Sequence, residues 1–333
     1  MRLNMAYQIK ILGLAFVIAF VISLIVIPIL RRKKIGQNER DDGPKSHLKK
    51  QGTPTMGGII MIIALLIMGG ILYYSYGREE VESERMVATN LLPLLAATIG
   101  FGLIGFIDDF KKLVLNNTEG LKPKYKMIGL LIIATIFTVY LTNVMNIGTD
   151  IIIPFAKTTI TLPIWIYIPF TILVMLATTN AINLTDGIDG LSTSVTTIIL
   201  ACLTVIGIIF DVKEIVVFGA SLIGICLAFL LFNLHPAKVF MGDTGSLLLG
   251  GAVSVMAIYL KMPILLIIIA IIPVLETLSD IIQVTHYKRT GKRVFKMAPL
   301  HHHFELCGWH ENAIVSVFSI ITLIACMIGL IAI

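Results

Sequence analysis

The sequence predicts an all-α, polytopic integral membrane protein of about ten transmembrane helices. Hydrophobic residues make up 57% of the 333-residue chain and charged residues only 14%, where a soluble domain carries about 25%. Mean hydropathy is +0.93. The apolar residues also come in runs of membrane length, separated by polar loops. A net charge of +6 is modest, and its placement along the chain is more informative than its sum.

A hydrocarbon core about 30 Å thick needs about 20 mostly apolar helical residues. Runs of that kind lie at roughly 10–30, 57–76, 91–108, 127–145, 163–181, 191–210, 215–233, 246–260, 263–286 and 312–333. The first passes straight into Arg31-Arg32-Lys33-Lys34 with no small-residue cleavage site, so it reads as a retained anchor rather than a signal peptide. The eighth run is short. The ninth contains Pro273, Glu276 and Asp280, so it is expected to bend or to exceed the bilayer. Residues 147–162 are rich in β-branched side chains and alternate loosely, as a small hairpin would. Cys202, Cys226, Cys307 and Cys326 show no paired spacing, which argues against a disulfide framework. No internal repeat is evident, so residues 1–333 read as a single ten-helix domain.

Orientation follows from lysine and arginine in the loops. The loops after the odd-numbered spans hold 19 of the 26 such residues, and the opposite side holds seven. The 19-residue side is therefore expected in the cytoplasm, with both termini outside. Every polar cluster of interest falls on that side.

The first cluster is GTPTMGG, residues 52–58, where Thr55 could cap the second span and leave helix N–H groups facing the cytoplasm as an anion site. A capped, glycine-rich helix start is the plain alternative. Asp108-Asp109 in GFIDDFKK ends the third span. Adjacent carboxylates at a helix C-terminus oppose the helix dipole unless a cation offsets them. Lys111 and Lys112 could be that cation, as could a divalent metal. Lys122, Lys124 and Lys126 follow, suited either to topology or to gripping a diphosphate.

NAINLTDGIDG, residues 180–190, lies where one span ends and the next begins. Helical backbone through Asp186 would place Asn180, Asn183 and Asp186 near one face. Gly187 and Gly190 would then allow sharp re-entry before Leu191. A polar turn between helices is the bland account; a hydrated cation or phosphate site is the sharper one. In VFMGDTGS, Asp243 sits between two glycines and offers a hard oxygen suited to Mg²⁺, while Phe240 could stack on a base or pack at the interface. PLHHHFE supplies His301, His302 and His303, which cannot all face one way. A zinc site from His303, Cys307 and His310 is conceivable, but its spacing matches no standard pattern. Each motif alone is weak. Together, acidic, glycine-rich and histidine clusters on one face have the composition of Mg²⁺-assisted phosphoryl transfer at a membrane border.

These motifs resemble the polyprenyl-phosphate N-acetylhexosamine-1-phosphate transferases across nearly the whole chain, and PLHHHFE separates the muramoyl-pentapeptide branch from its N-acetylglucosamine relatives. The resemblance implies a ten-helix fold in the bacterial cytoplasmic membrane. It also implies transfer of phospho-MurNAc-pentapeptide from UDP-MurNAc-pentapeptide to undecaprenyl phosphate, with Mg²⁺, giving lipid I and UMP. Carried onto this chain, it makes Asp108, Asp109, Asp243 and His301 the catalytic residues, with Asp243 resembling the metal ligand. Lys45, Lys50, Thr53, Lys112, Lys124, Asn180, Asn183, Asp186, Asp189, Phe240, Gln283, His302 and His303 would line the substrate site. Among them Asn183, Asp186 and Phe240 would hold the uracil end, and either Lys45 or Lys50 the diphosphate.

No nucleic-acid partner is expected, and a homodimer is left open. The rival readings are a UDP-GlcNAc transferase of the same class, an ion-coupled secondary transporter built around Glu276 and Asp280, and a structural scaffold. Transporter sites lie near midplane between inverted repeats, whereas these motifs cluster at one surface. A lipid phosphate, with a second pKa near 6, is already mostly dianionic at neutral pH. That favours its direct attack over a covalent intermediate on an aspartate.

Overall fold

In lipid each backbone N–H and C=O must find its partner within its own segment, so the apolar runs become helices. The computed structural model describes residues 5–33, 52–113 and 120–333. Lys45 and Lys50 lie outside these described residues. In chain order the helices are α1 (Met5–Arg32), α2 (Gly58–Gly77), α3 (Glu82–Leu113), α4 (Pro123–Asn143), α5 (Ile164–Thr185), α6 (Leu191–Ile209) and α7 (Lys213–Asn233). They continue with α8 (Gly242–Tyr259), a 3-10 turn (Pro263–Leu265), α9 (Leu266–Ile269), α10 (Ile271–Thr290), α11 (Leu300–Leu306) and α12 (Glu311–Ile331). Between α4 and α5 lies an antiparallel hairpin of β1 (Asp150–Ile153) and β2 (Thr158–Thr161). The protein is a polytopic, essentially all-α membrane protein.

Among the described residues eight helices are long and apolar enough to cross a membrane, or nine if one bent pair is a single span. The remaining expected span, the eighth, is α8, which has 18 residues and is buried from Thr244 to Tyr259. It packs among α2, α3, α5 and α6. A helix sheathed by protein needs no greasy surface, so it can carry Gly245, Ser246, Gly250, Gly251 and Ser254, small residues that let neighbours approach. Lipid-facing helices show the reverse pattern. Val17, Leu24 and Ile25 on α1, and Ile320, Leu323 and Ile324 on α12, are exposed.

The bend expected in the ninth span is present, and α9 meets α10 at 83°. It falls at Ala270 rather than at Pro273. Proline is tolerated in the first turn of α10 because donors there have no intrahelical acceptor.

Alternate helix ends collect at two poles. At one, Lys213 pairs with Glu84 at 2.5 Å, and Asn90 and the Tyr259 hydroxyl both donate to Glu214. The hairpin closes the same pole: Lys261 pairs with Asp150 at 3.1 Å, and the Phe155 N–H donates to the Ala332 carbonyl. The other pole gathers the polar motifs. Helix α3, at 32 residues, is about 48 Å long, well beyond the ~30 Å of a hydrocarbon core. Its C-terminal turns carry Asp108 and Asp109 into that second pole.

Candidate active site

Residues four apart share a helix face, so Asp108 and Lys112 on α3 meet, with Nζ 2.6 Å from Oδ2. Asp109, one position on, points to a different neighbour. Its Oδ1 accepts from the Asp243 N–H at 3.2 Å. Its Oδ2 accepts from the Thr244 N–H at 2.9 Å and the Thr244 hydroxyl at 2.6 Å. Asp109 therefore caps α8 from outside that helix. Gly105, one turn earlier on α3, lies against the Asp243 carbonyl, which any Cβ would overlap.

Asp243 is the hub. Its Oδ2 is 3.1 Å from Lys112 Nζ and 3.0 Å from Lys126 Nζ, and its Oδ1 accepts from Asn183 Nδ2 at 2.9 Å. Lys126 also lies 3.9 Å from Asp108. Asn183 donates to Ser246 as well, at 2.7 Å. Four helices, α3, α4, α5 and α8, thus contribute to one knot of carboxylates, ammonium groups and an amide. Asp186 caps the end of α5 nearby. Burial, and then the charges of Asp243, Asp109 and Asp189, raise its carboxyl well above the ordinary carboxylate range.

The remaining motifs join the same pole. The Gly57 and Gly58 N–H groups donate to the carbonyls of Phe240 and Met241, at 2.9 and 3.0 Å, and Phe240 N–H donates to Pro54. GTPTMGG and VFMGDTGS are thereby stitched together. Gly187 sits against the imidazole of His301, with no room for a Cβ. Gly190, at φ 74°, turns the chain into α6.

The model of Glycosyl transferase family 4 matches residues 91–261. A phospho-N-acetylmuramoyl-pentapeptide-transferase of Acetivibrio thermocellus is 47% identical over all of this chain and 98% of its own. Enzymes of the same name from Clostridium kluyveri (51% identical, 95% of this chain, 96% of theirs) and Clostridium botulinum (50%, 96% and 94%) agree. The chain belongs to the phospho-N-acetylmuramoyl-pentapeptide-transferase family. It is a membrane transferase.

In this family member the structure brings Asp108, Asp109, Asp243, Lys112 and Asn183 together, with Lys126 beside them. Lys124 is exposed on the first turn of α4; two residues along a helix is about 200° of rotation, so Lys124 and Lys126 cannot face the same site. The loop lysines were legible, but the start of α4 at Pro123 decides which one turns inward. Asn180 does not reach the hub either; its amide donates to the Leu176 carbonyl at 2.7 Å.

Other expectations are redirected. Thr55 does not cap α2: Gly57 occupies that position, and the N–H groups meant for an anion are bonded to backbone carbonyls. Thr53 and Phe240 are half-buried in that stitched segment. Gln283 braces a loop, donating to the Phe295 carbonyl and accepting from the N–H groups of Val294 and Phe295.

Asp189 is buried in a second group, with His235 Nδ1 2.9 Å and the Ala237 N–H 3.1 Å from its Oδ2. Glu311 completes that group, whose ligand atoms all lie within 4.8 Å. It clasps three loops together.

The histidines diverge as their sequence requires. His301 is wholly buried, His302 pairs with Glu305 at 2.8 Å, and His303 Nδ1 accepts from the Lys296 N–H. Cys307 lies 3.8 Å from His303, but His310 stacks edge-on against His235, so the three do not form a zinc triad. Glu276, weighed above as part of an ion path, lies instead against His301.

Proposed function

We propose that the chain transfers phospho-MurNAc-pentapeptide from UDP-MurNAc-pentapeptide to undecaprenyl phosphate, giving lipid I and UMP, as one 333-residue transferase unit. The observation that carries the reading is the Asp243 hub, where two lysines and an amide converge on one carboxylate beside Asp108. This is a site built to manage the negative charge of phosphate oxygens.

Direct displacement fits the residues best. An oxygen of the lipid phosphate attacks the sugar-bearing phosphorus, the bond from that phosphorus to the bridging oxygen breaks, and UMP departs with that oxygen. Lys112 and Lys126 hold the diphosphate oxygens and relieve anion–anion repulsion. Asp108 positions the lipid phosphate or takes its last proton. Asp109 has both oxygens committed to α8 and sets the position of Asp243. Asn183, Asp186 and Phe240 would hold the uracil end, with His301 and His302 on the flank beside α11.

Hard carboxylate oxygens suit Mg²⁺, and Asp243, with Asp108 beside it, would hold the ion once the ammonium groups that face them swing to the phosphate oxygens. When bound, the metal neutralises charge on the phosphate oxygens. The 19-to-7 division of positive residues supports a cytoplasmic site in the bacterial inner membrane.

Two measurements test this. Purified in detergent with undecaprenyl phosphate and Mg²⁺, the chain releases UMP from UDP-MurNAc-pentapeptide and not from UDP-GlcNAc; the opposite preference would move it to the sister branch. Cysteines placed at Lys124 and Lys292 resist impermeant label in intact cells, and labelling from outside would reverse the orientation.

A further inference from the structure

Glu276 is a fully buried carboxylate on a membrane helix, and the phosphoryl-transfer chemistry above makes no use of it. Such a group is expensive in that setting and persists only with a partner. Among the described residues the donors within reach of its carboxylate belong to one residue. The His301 backbone N–H lies 3.3 Å from Oε1, and His301 Nδ1 lies 3.2 Å from Oε2. The His301 ring is itself wholly buried, and neither nitrogen makes an aligned hydrogen bond within the protein. Its Nε2 is directed at Gly187, between Asp186 and Asp189, where any side chain would overlap it.

The geometry points to Glu276 as a positioning residue that accepts a hydrogen bond from the Nδ1–H of His301 and so fixes which ring nitrogen faces the site. One face of the imidazole edge is then tied to α10 and the other is left for the segment that carries Asp186. The same carboxylate holds the first turn of α11 through the His301 N–H, so orientation and tautomer are set by one group. A histidine with Nδ1 committed presents Nε2 alone to a substrate, as in carboxylate–histidine pairs generally. Glu276 touches no reacting atom, and the inference rests on His301 belonging to the active site.

The test uses the full chain in detergent, labelled with ¹⁵N-histidine, with the His301 signal assigned by its loss in His301→Gln. Wild type shows the Nδ1–H tautomer. Glu276→Met loses it, and kcat falls about 10- to 100-fold, the scale on which outer partners of functional histidines act, while KM for the nucleotide substrate stays within about twofold. Glu276→Gln, which keeps an acceptor oxygen, restores the tautomer and most of the turnover. An Nε2–H tautomer in wild type overturns the proposal, as does an unchanged tautomer in Glu276→Met. Full turnover in His301→Gln would instead remove His301 from the active site, and the spectra would still report on the pair.

Discussion

Asp108 and Asp109 point to different partners because successive helical residues are about 100° apart. Asp108 faces Lys112 and the Leu121 N–H; Asp109 faces the start of α8. Asp109→Asn must set an amide N–H₂ against a backbone N–H, leaving an unsatisfied buried donor at about 1–3 kcal/mol. It is expected to lower the thermal midpoint and turnover together. A variant that lost turnover with an unchanged midpoint would make Asp109 a reacting group rather than a support.

Asp186 gives a pH signature. A carboxyl whose value is raised on folding favours its protonated form, so stability is greatest at or below the ordinary carboxylate range and falls as pH climbs toward the raised value. Asp186→Asn removes that fall. Its midpoint should exceed that of wild type at about pH 8 and converge with it near about pH 4; an equal offset at both would contradict the assignment. At this scale residue types were legible in sequence, because aspartate and lysine at a membrane border have few structural uses. Partners were not, since Lys126 rather than Lys124 depends on where α4 begins.

Among elements, the contact of α3 with α8 sets the site. Gly102 lies against Leu248 and Gly251 against Phe101, so the two helices approach closely enough for Asp109 to reach α8's first turn. Gly105→Ala meets a backbone carbonyl that cannot move without shifting Asp243, and overpacking of this kind costs about 1–3 kcal/mol. Gly100→Ala meets only the Ile133 side chain, 3.0 Å from its Cδ1 and no backbone, and should cost far less. Paired measurement of midpoint and turnover checks the contrast, and equal effects would show that the α3–α8 approach does not position the site. The helices themselves were readable from apolar run length. The bend at Ala270 was readable only approximately, because Pro273 marks the region while first-turn tolerance places the break before it. The low hydropathy of α8, which made its span look short, reflects burial among four helices that no single segment reveals.

For the whole molecule, loop charge and helix count implied that the motifs share one face, and the described residues gather them at one pole. What sequence could not supply was the division of labour there. The Asp189–His235–Glu311 clasp and the Gln283 brace use residue types that also suit substrates, and only their neighbours distinguish the roles. The central claim is that Asp243 and its lysines promote direct attack by the lipid phosphate. It is tested most directly by UMP release from UDP-MurNAc-pentapeptide and Mg²⁺, with and without undecaprenyl phosphate, for wild type and Asp243→Asn. The account predicts release only when the lipid is present, and a loss of about 100-fold or more in Asp243→Asn while that variant remains folded. A stoichiometric burst of UMP without lipid, leaving a phospho-sugar adduct on Asp108 or Asp109, or near-normal turnover in Asp243→Asn, would contradict it.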